Sequence, residues 1–433
     1  AESNYRQGRY VPSVNTFEQV VNNFKESQYR DNALDRMSDI YATWIKDNNQ
    51  AAKYAQMLVR EYPRSPLAAD GYNRLALVSY NMGNEQAAVN YFKKVLDDYT
   101  FDRRNSQIAL DNLSSLLPPN EFDRVLQNYR NKNPKVDEGV AELSFNIGVD
   151  RYYAGNYSSA ITQFTNYIND FKSGPNYFEA LLFRARSYKA TKDMTKALGD
   201  YERVYSGSVK NAFTHIALFE AAELRFDQAQ YTGALQLFQQ LTETAGNLEN
   251  RNTGLFGVAK SYKALSNYRE AQRALERIAD NPEVNETSRV QARVEIGHCL
   301  YLLGDLAGAM ETFANVERAY KNAFGAESQY MITRILYDMK RYAETKEAGI
   351  YMNREFPTFN YWKAKAFLYV AEANYSLGEV FQAKGVLESL ISEASFPDIQ
   401  QAATKRLKEI QDEEQKRENQ RFAPENDPTR PNN

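Results

Sequence analysis

The chain has 433 residues, 43% apolar and 25% charged, with a formal net charge of −3 and a pI of about 5.8. That balance excludes a chain disordered throughout, and scattered Lys and Arg offer no basic stripe for nucleic acid. The single cysteine, Cys299, excludes an internal disulfide and a cysteine cage for a metal, and no apolar run nears the ~18 residues of a membrane span.

Ala1 to Tyr10 is polar and carries no signal-peptide pattern. Tyr10, Ser13, Phe17, Val20 and Phe24 then follow helical spacing, and the same figure returns along the chain. A turn position falls at Tyr10, Asn49, Glu85, Phe122, Tyr157, Met194, Tyr231, Tyr268, Leu306, Tyr342 and Val380, at intervals of 35 to 39 residues. Such a period marks stacked supersecondary units, in which the core grows along one dimension and escapes the size limit of a single globule. Residues 1–31 read as a partial repeat holding only a second helix, whose first helix would lie upstream, so the chain reads as a fragment of a longer protein.

Residues 32–395 read as about ten full units. Nine positions before the turn stands a small residue, Ala76, Gly148, Ala185, Ala222, Ala259, Gly297, Thr333 or Ala371, with Ile40 and Leu113 as exceptions. Three positions after it stands Ala52, Ala88, Ala160, Ala197, Ala234, Ala271, Ala309 or Ala383. Small residues at two fixed sites let paired helices approach closely. Gly83, Gly155, Gly304 and Gly378 suit a left-handed helix stop, and Asn84, Asn156, Asn267 and Asp305 are placed to cap the next helix. Second helices end at Tyr62-Pro63, Asn133-Pro134, Gly174-Pro175, Asn281-Pro282, Phe356-Pro357 and Phe396-Pro397, because proline cannot continue a helix. In unit four Leu117-Pro118-Pro119-Asn120 replaces the glycine turn, and a local change of helix angle is expected there. No strand-like alternation appears, so the fold predicted is all-α.

Ile147-Gly148, Gly155, Tyr157, Ala160 and Phe164, together with Ala234 and Phe238 and with Ala309 and Phe313, resemble the tetratricopeptide repeat (TPR) consensus over roughly residues 5 to 395. The family repeat is about 34 residues, so these units look like a longer-looped version. The resemblance implies a right-handed superhelical solenoid of TPR-like helix-turn-helix repeats. Tyr62-Pro63-Arg64-Ser65-Pro66-Leu67-Ala68-Ala69 is also similar to the inter-repeat loop of envelope-associated bacterial TPR lipoproteins. Residues 396–420 read as a capping helix, with Ile399, Ala402, Ala403, Leu407 and Ile410 on one face. Residues 421–433, with three prolines and no aliphatic side chain larger than alanine, read as a flexible tail.

No phosphate loop, nucleophile elbow or dinucleotide fingerprint is present. His298 and Cys299 are adjacent on a helix and point about 100° apart, so they form no thiolate–base pair; a buried cysteine beside a partly exposed histidine is expected. His215 and His298 lie in different units and make no metal site. No catalytic residue, cofactor or metal is implied. Five positions before the turn lie Trp44, Tyr80, Tyr152, Phe226, Tyr301, Tyr337 and Tyr375, a place that in the family resembled faces the concave groove. Eight positions before it the side chain varies and includes Arg186, Lys260, His298 and Arg334. Rings at fixed spacing more often pack inside their own unit, yet Tyr80, Tyr152, Arg186, Phe226, Lys260, Tyr301, Arg334, Tyr337 and Tyr375 are the candidates for a protein-binding groove.

The function expected is a non-catalytic scaffold for other proteins, peptide segments or subunits of an envelope complex. The resemblance implies the periplasm or the periplasmic face of the outer membrane, in assembly, secretion or coordination. A sparing use of cysteine leans the same way, since stray thiols are a liability in an oxidising compartment. The cytoplasm is the other location. The competing reading is a regulatory or docking part of a larger protein whose catalytic domain lies upstream. A clamp for acidic peptide tails would need more groove cations than Lys260 and Lys263 provide.

Overall fold

A computed structural model describes residues 1–133, 138–207 and 211–421. The tail expected at 421–433 lies outside them from residue 422 onward. Every regular element among the described residues is helical, and the chain divides into two compact units, Ala1–Gly207 and Ser208–Asn433.

The first unit holds α1 (Glu2–Arg6), α2 (Tyr10–Asn23), α3 (Arg30–Ile40), α4 (Asn48–Glu61), α5 (Ala68–Asn81), α6 (Glu85–Asp98), α7 (Arg103–Leu116), α8 (Pro119–Lys132), α9 (Glu138–Tyr153), α10 (Tyr157–Asp170), α11 (Tyr177–Ala190) and α12 (Met194–Tyr205). The second holds α13 (Thr214–Asp227), α14 (Tyr231–Thr244), α15 (Leu248–Ala264), α16 (Tyr268–Ala279), α17 (Glu286–Leu302), α18 (Leu306–Ala319), α19 (Ala323–Asp338), α20 (Tyr342–Glu355), α21 (Asn360–Ser376), α22 (Val380–Glu393) and α23 (Pro397–Arg421). Odd-numbered helices are the first of each hairpin and even-numbered ones the second. The first repeat is not a second helix alone, because α1 supplies five helical residues ahead of its turn.

The two small-residue sites are where the helices of a hairpin touch. A Cβ built on Gly148 would lie 2.6 Å from the ring of Phe164, and one on Gly297 would lie 2.7 Å from the ring of Phe313. Ala88, Ala160, Ala197, Ala234, Ala271, Ala309 and Ala383 are fully buried. In the second hairpin the buried residue is Ala51, not Ala52, so its turn position is Asn48 rather than Asn49. The slip follows from α3 running on through a wider turn, Tyr41–Ile45, which stops at left-handed Lys46.

The left-handed stop is a property of the place and not of glycine. Gly83, Gly155, Gly304 and Gly378 have φ between 76° and 83°, and Lys192, Ala229, Ser266 and Lys340 hold φ of 57° to 65° at the same position. A side chain in that conformation is strained, and the packing of the hairpin compensates. Of the expected caps, Asn84 and Asp305 accept the hydrogen bond from Ala87 N and Gly308 N, whereas Asn156 and Asn267 make no such bond. Asp47 and Asp193 cap in addition. At Leu117-Pro118 the backbone is extended, no left-handed residue intervenes, and α7 and α8 touch less than the helices of any other hairpin among the described residues.

Candidate functional site

Stacking hairpins at a fixed period sets each first helix beside the next, so a residue on one meets a residue about one period later. In the second unit this juxtaposition builds a ladder of polar rungs. Lys260 of α15 pairs with Glu223 of α13 at 2.8 Å and lays its ammonium 4.1 Å from the centre of the Phe226 ring. Lys263 pairs with Glu295 of α17, and His298 Nε2 lies 3.0 Å from Glu327 Oε1 of α19. The Tyr301 hydroxyl donates to Asp338 at 2.7 Å, and the Arg334 guanidinium covers the Tyr301 ring at 4.7 Å. Tyr337 packs on Tyr369 of α21, with centroids 5.5 Å apart. Glu372 accepts from Arg406 of α23 at 2.7 Å, and the Tyr375 hydroxyl donates to Glu413 and accepts from Arg417 at 3.3 Å.

The phenols of Tyr301 and Tyr375 serve as donors to carboxylates. Burial raises the pKa of Tyr301, and its hydrogen bond to Asp338 adds to the rise. For Tyr375 the bond to Glu413 raises it first and burial second. A phenol that gives its proton to a carboxylate is harder to ionise. A second knot of cation and rings lies nearby, with Lys365 Nζ 4.6 Å from the Tyr330 ring and 5.1 Å from that of Trp362.

Candidates Phe226, Lys260, Tyr301, Arg334, Tyr337 and Tyr375 therefore lie along one line, engaged by side chains of the helix before or after. Their partners Asp338, Tyr369, Arg406 and Glu413 escaped the sequence reading. Opposite charges one period apart, Glu223 with Lys260 and Glu372 with Arg406, were the signal that finds them.

The first unit is different. Its rungs are Arg36 with Glu2 at 2.9 Å, Arg74 with Asp35 at 2.6 Å and Asp39 at 3.5 Å, Tyr5 with Asp39 at 3.3 Å, and Asn105 with Asp70 at 3.0 Å. The carboxy-terminal halves of the helices carry large apolar side chains open to solvent: Trp44 51% exposed, Leu77 41% and Tyr80 48%. Trp44 stacks on Tyr10 at 4.4 Å. Further along, Tyr152 packs edge-on against Phe183 at 5.2 Å, Arg186 lies over the same ring at 5.6 Å, and neighbouring Tyr153 stands exposed.

Cys299 is fully buried, and burial pushes its thiol up to about 11, so the thiolate that chemistry needs is suppressed at neutral pH. His298 turns its ring edge to Phe313, 5.3 Å away, and remains partly exposed. Among the described residues no three His, Cys, Asp or Glu side chains are placed to hold a metal, and no helix is long and apolar enough to cross a membrane.

Models of the tetratricopeptide repeat match residues 32–65, 69–97, 145–212 and 258–324. The hairpins within those residues are tetratricopeptide repeats. No curated protein sequence matches the chain. Among solved structures, a tetratricopeptide repeat protein from Parabacteroides merdae is similar at 15% identity, covering 61% of this chain and 98% of its own, with a TM-score of 0.42. Yeast Tom70 is similar at 11% identity, covering 96% of this chain and 94% of its own, with a TM-score of 0.39. Tetratricopeptide repeats are in general non-catalytic modules that bind other proteins, and each presents a face of first helices and a face of second helices to solvent.

Proposed function

We propose that the chain is a non-catalytic scaffold whose partner docks on the first-helix face of the first unit, across Trp44, Leu77 and Tyr80. One observation carries this reading: eight and five positions before the turn the second unit places side chains that meet a neighbouring first helix, whereas Leu77 and Tyr80 at those places in the first unit, with Trp44 four before its own turn, stand 41%, 48% and 51% exposed. Clustered exposed aromatics supply anchor contacts at protein interfaces, since they bury a large area at little cost in side-chain entropy. The setting proposed is the periplasm or the periplasmic face of the outer membrane, in assembly, secretion or coordination. The Tyr62–Ala69 loop and the single cysteine support it.

Site-specific photo-crosslinking in the native host tests the reading. A photoreactive residue at position 77 should give a discrete adduct that disappears when Trp44 and Tyr80 are changed to alanine. A reporter on the second unit's ladder, in place of Tyr337, should give none. Equal adducts at both positions, or none at 77, would remove the proposed face.

A further inference from the structure

The face of second helices carries a site of its own in the second unit. Between α14 and α16, over α15, runs a groove of about 510 Å³. Leu255, Val258 and Ala274, each almost wholly buried, form the apolar part of its floor, beside Gln239, Thr242 and Tyr262. Its walls are charged. Arg273 is neutralised by Glu270 at 2.6 Å, but the Arg251 and Arg277 guanidinium groups make no ion pair or hydrogen bond among the described residues. Antiparallel packing brings them together, since Arg251 stands near the start of α15 and Arg277 near the end of α16. Glu243, near the end of α14, is the one acid of the groove without a partner among the described residues, and it stands on the α14 wall, across from Arg277 of α16.

We infer that this groove receives an acidic amphipathic segment of a partner protein. Small apolar side chains of that segment cover the floor, and a carboxylate enters the fork between Arg251 and Arg277. Arginine suits that task, because its planar guanidinium meets a carboxylate through two parallel hydrogen bonds. Glu243 fixes the orientation by repelling the acidic edge from the α14 wall. The site is separate from the first-helix face of the first unit, and neither depends on the other.

Fluorescence anisotropy with the full chain tests it. The probe is a short labelled peptide with leucine and alanine on one helical face and glutamate on the other; the control peptide has lysine for every glutamate. The glutamate peptide should bind, more weakly as salt rises. Arg251→Ala with Arg277→Ala should weaken it about fivefold, as expected for two exposed pairs. Arg269→Ala, an exposed arginine outside the groove, should leave affinity unchanged. Arg251→Glu with Arg277→Glu should transfer preference to the lysine peptide. Equal binding of both peptides to the natural chain, an equal loss in Arg269→Ala, or no binding of the glutamate peptide would overturn the assignment. Changing Trp44, Leu77 and Tyr80 to alanine should leave this binding as it was, so the two sites fail independently.

Discussion

Gly297→Ala is the sharpest test of how the hairpins are packed, because two effects of opposite sign compete. Replacing a glycine in mid-helix with alanine stabilises by roughly 0.5–1 kcal/mol through lost backbone freedom in the unfolded chain. At Gly297 the new methyl group would lie 2.7 Å from Cε1 and Cζ of Phe313 and 3.0 Å from Cε2. That ring is fully buried and lies against the edge of His298, so it has little room to retreat. Overpacking of this kind costs about 1–3 kcal/mol, so the net change should be a loss of roughly 1–2 kcal/mol. In a Phe313→Leu background the clash is relieved and the helical preference for alanine shows. The double-mutant cycle should give a coupling of at least about 1 kcal/mol. Native-state hydrogen exchange of α17 and α18 measures it locally, which a stack of weakly coupled repeats requires. A stabilised Gly297→Ala, or additive effects within about 0.3 kcal/mol, would refute the close approach as the reason for a small residue at that site.

Four further outcomes follow from the same geometry. Ala229→Gly relieves a left-handed alanine (φ 57°) and should raise stability by about 0.5 kcal/mol, read as a higher melting temperature. Cys299, whose pKa in the fold is about 11 against an ordinary 9.0, contributes stability that is complete below pH 9 and disappears as pH rises towards 11. Its native alkylation at pH 8 should be slow and become fast in denaturant. Arg406→Met removes the rung to Glu372 and should speed hydrogen exchange in α23 while leaving α17 unchanged. Changing Leu77 and Tyr80 to alanine should move the melting temperature very little, since both are open to solvent, and adding Trp44→Ala should cost only its ring stack on Tyr10; a large drop would show them to be structural.

The repeat was legible because the physics that sets it is local. A small residue, a stop and a large apolar residue must recur wherever two helices cross at the same distance, and Gly148 with Phe164 shows that requirement directly. The left-handed stop was legible only where glycine marks it; Lys192, Ser266 and Lys340 take the same conformation with nothing in their side chains to announce it. The site was read less well, since spacing within a helix says which way a side chain leans but not what awaits it. Tyr301 and Tyr375 lie where aromatic periodicity placed them, yet Asp338 and Glu413 meet them from the following helix. That partner is set by stacking, which no single repeat records. Tyr80, with the same spacing, meets no such side chain among the described residues and stays open.

The diproline turn at Leu117–Pro119 has a consequence for how the molecule comes apart. Where α7 and α8 barely touch, a mechanical fuse is expected. In a one-dimensional array, cooperativity passes only from neighbour to neighbour, so a thin contact uncouples what lies on its two sides. Pulled from its ends or attacked by a protease, the first unit should yield there first, and the hairpins on either flank should survive as separate blocks.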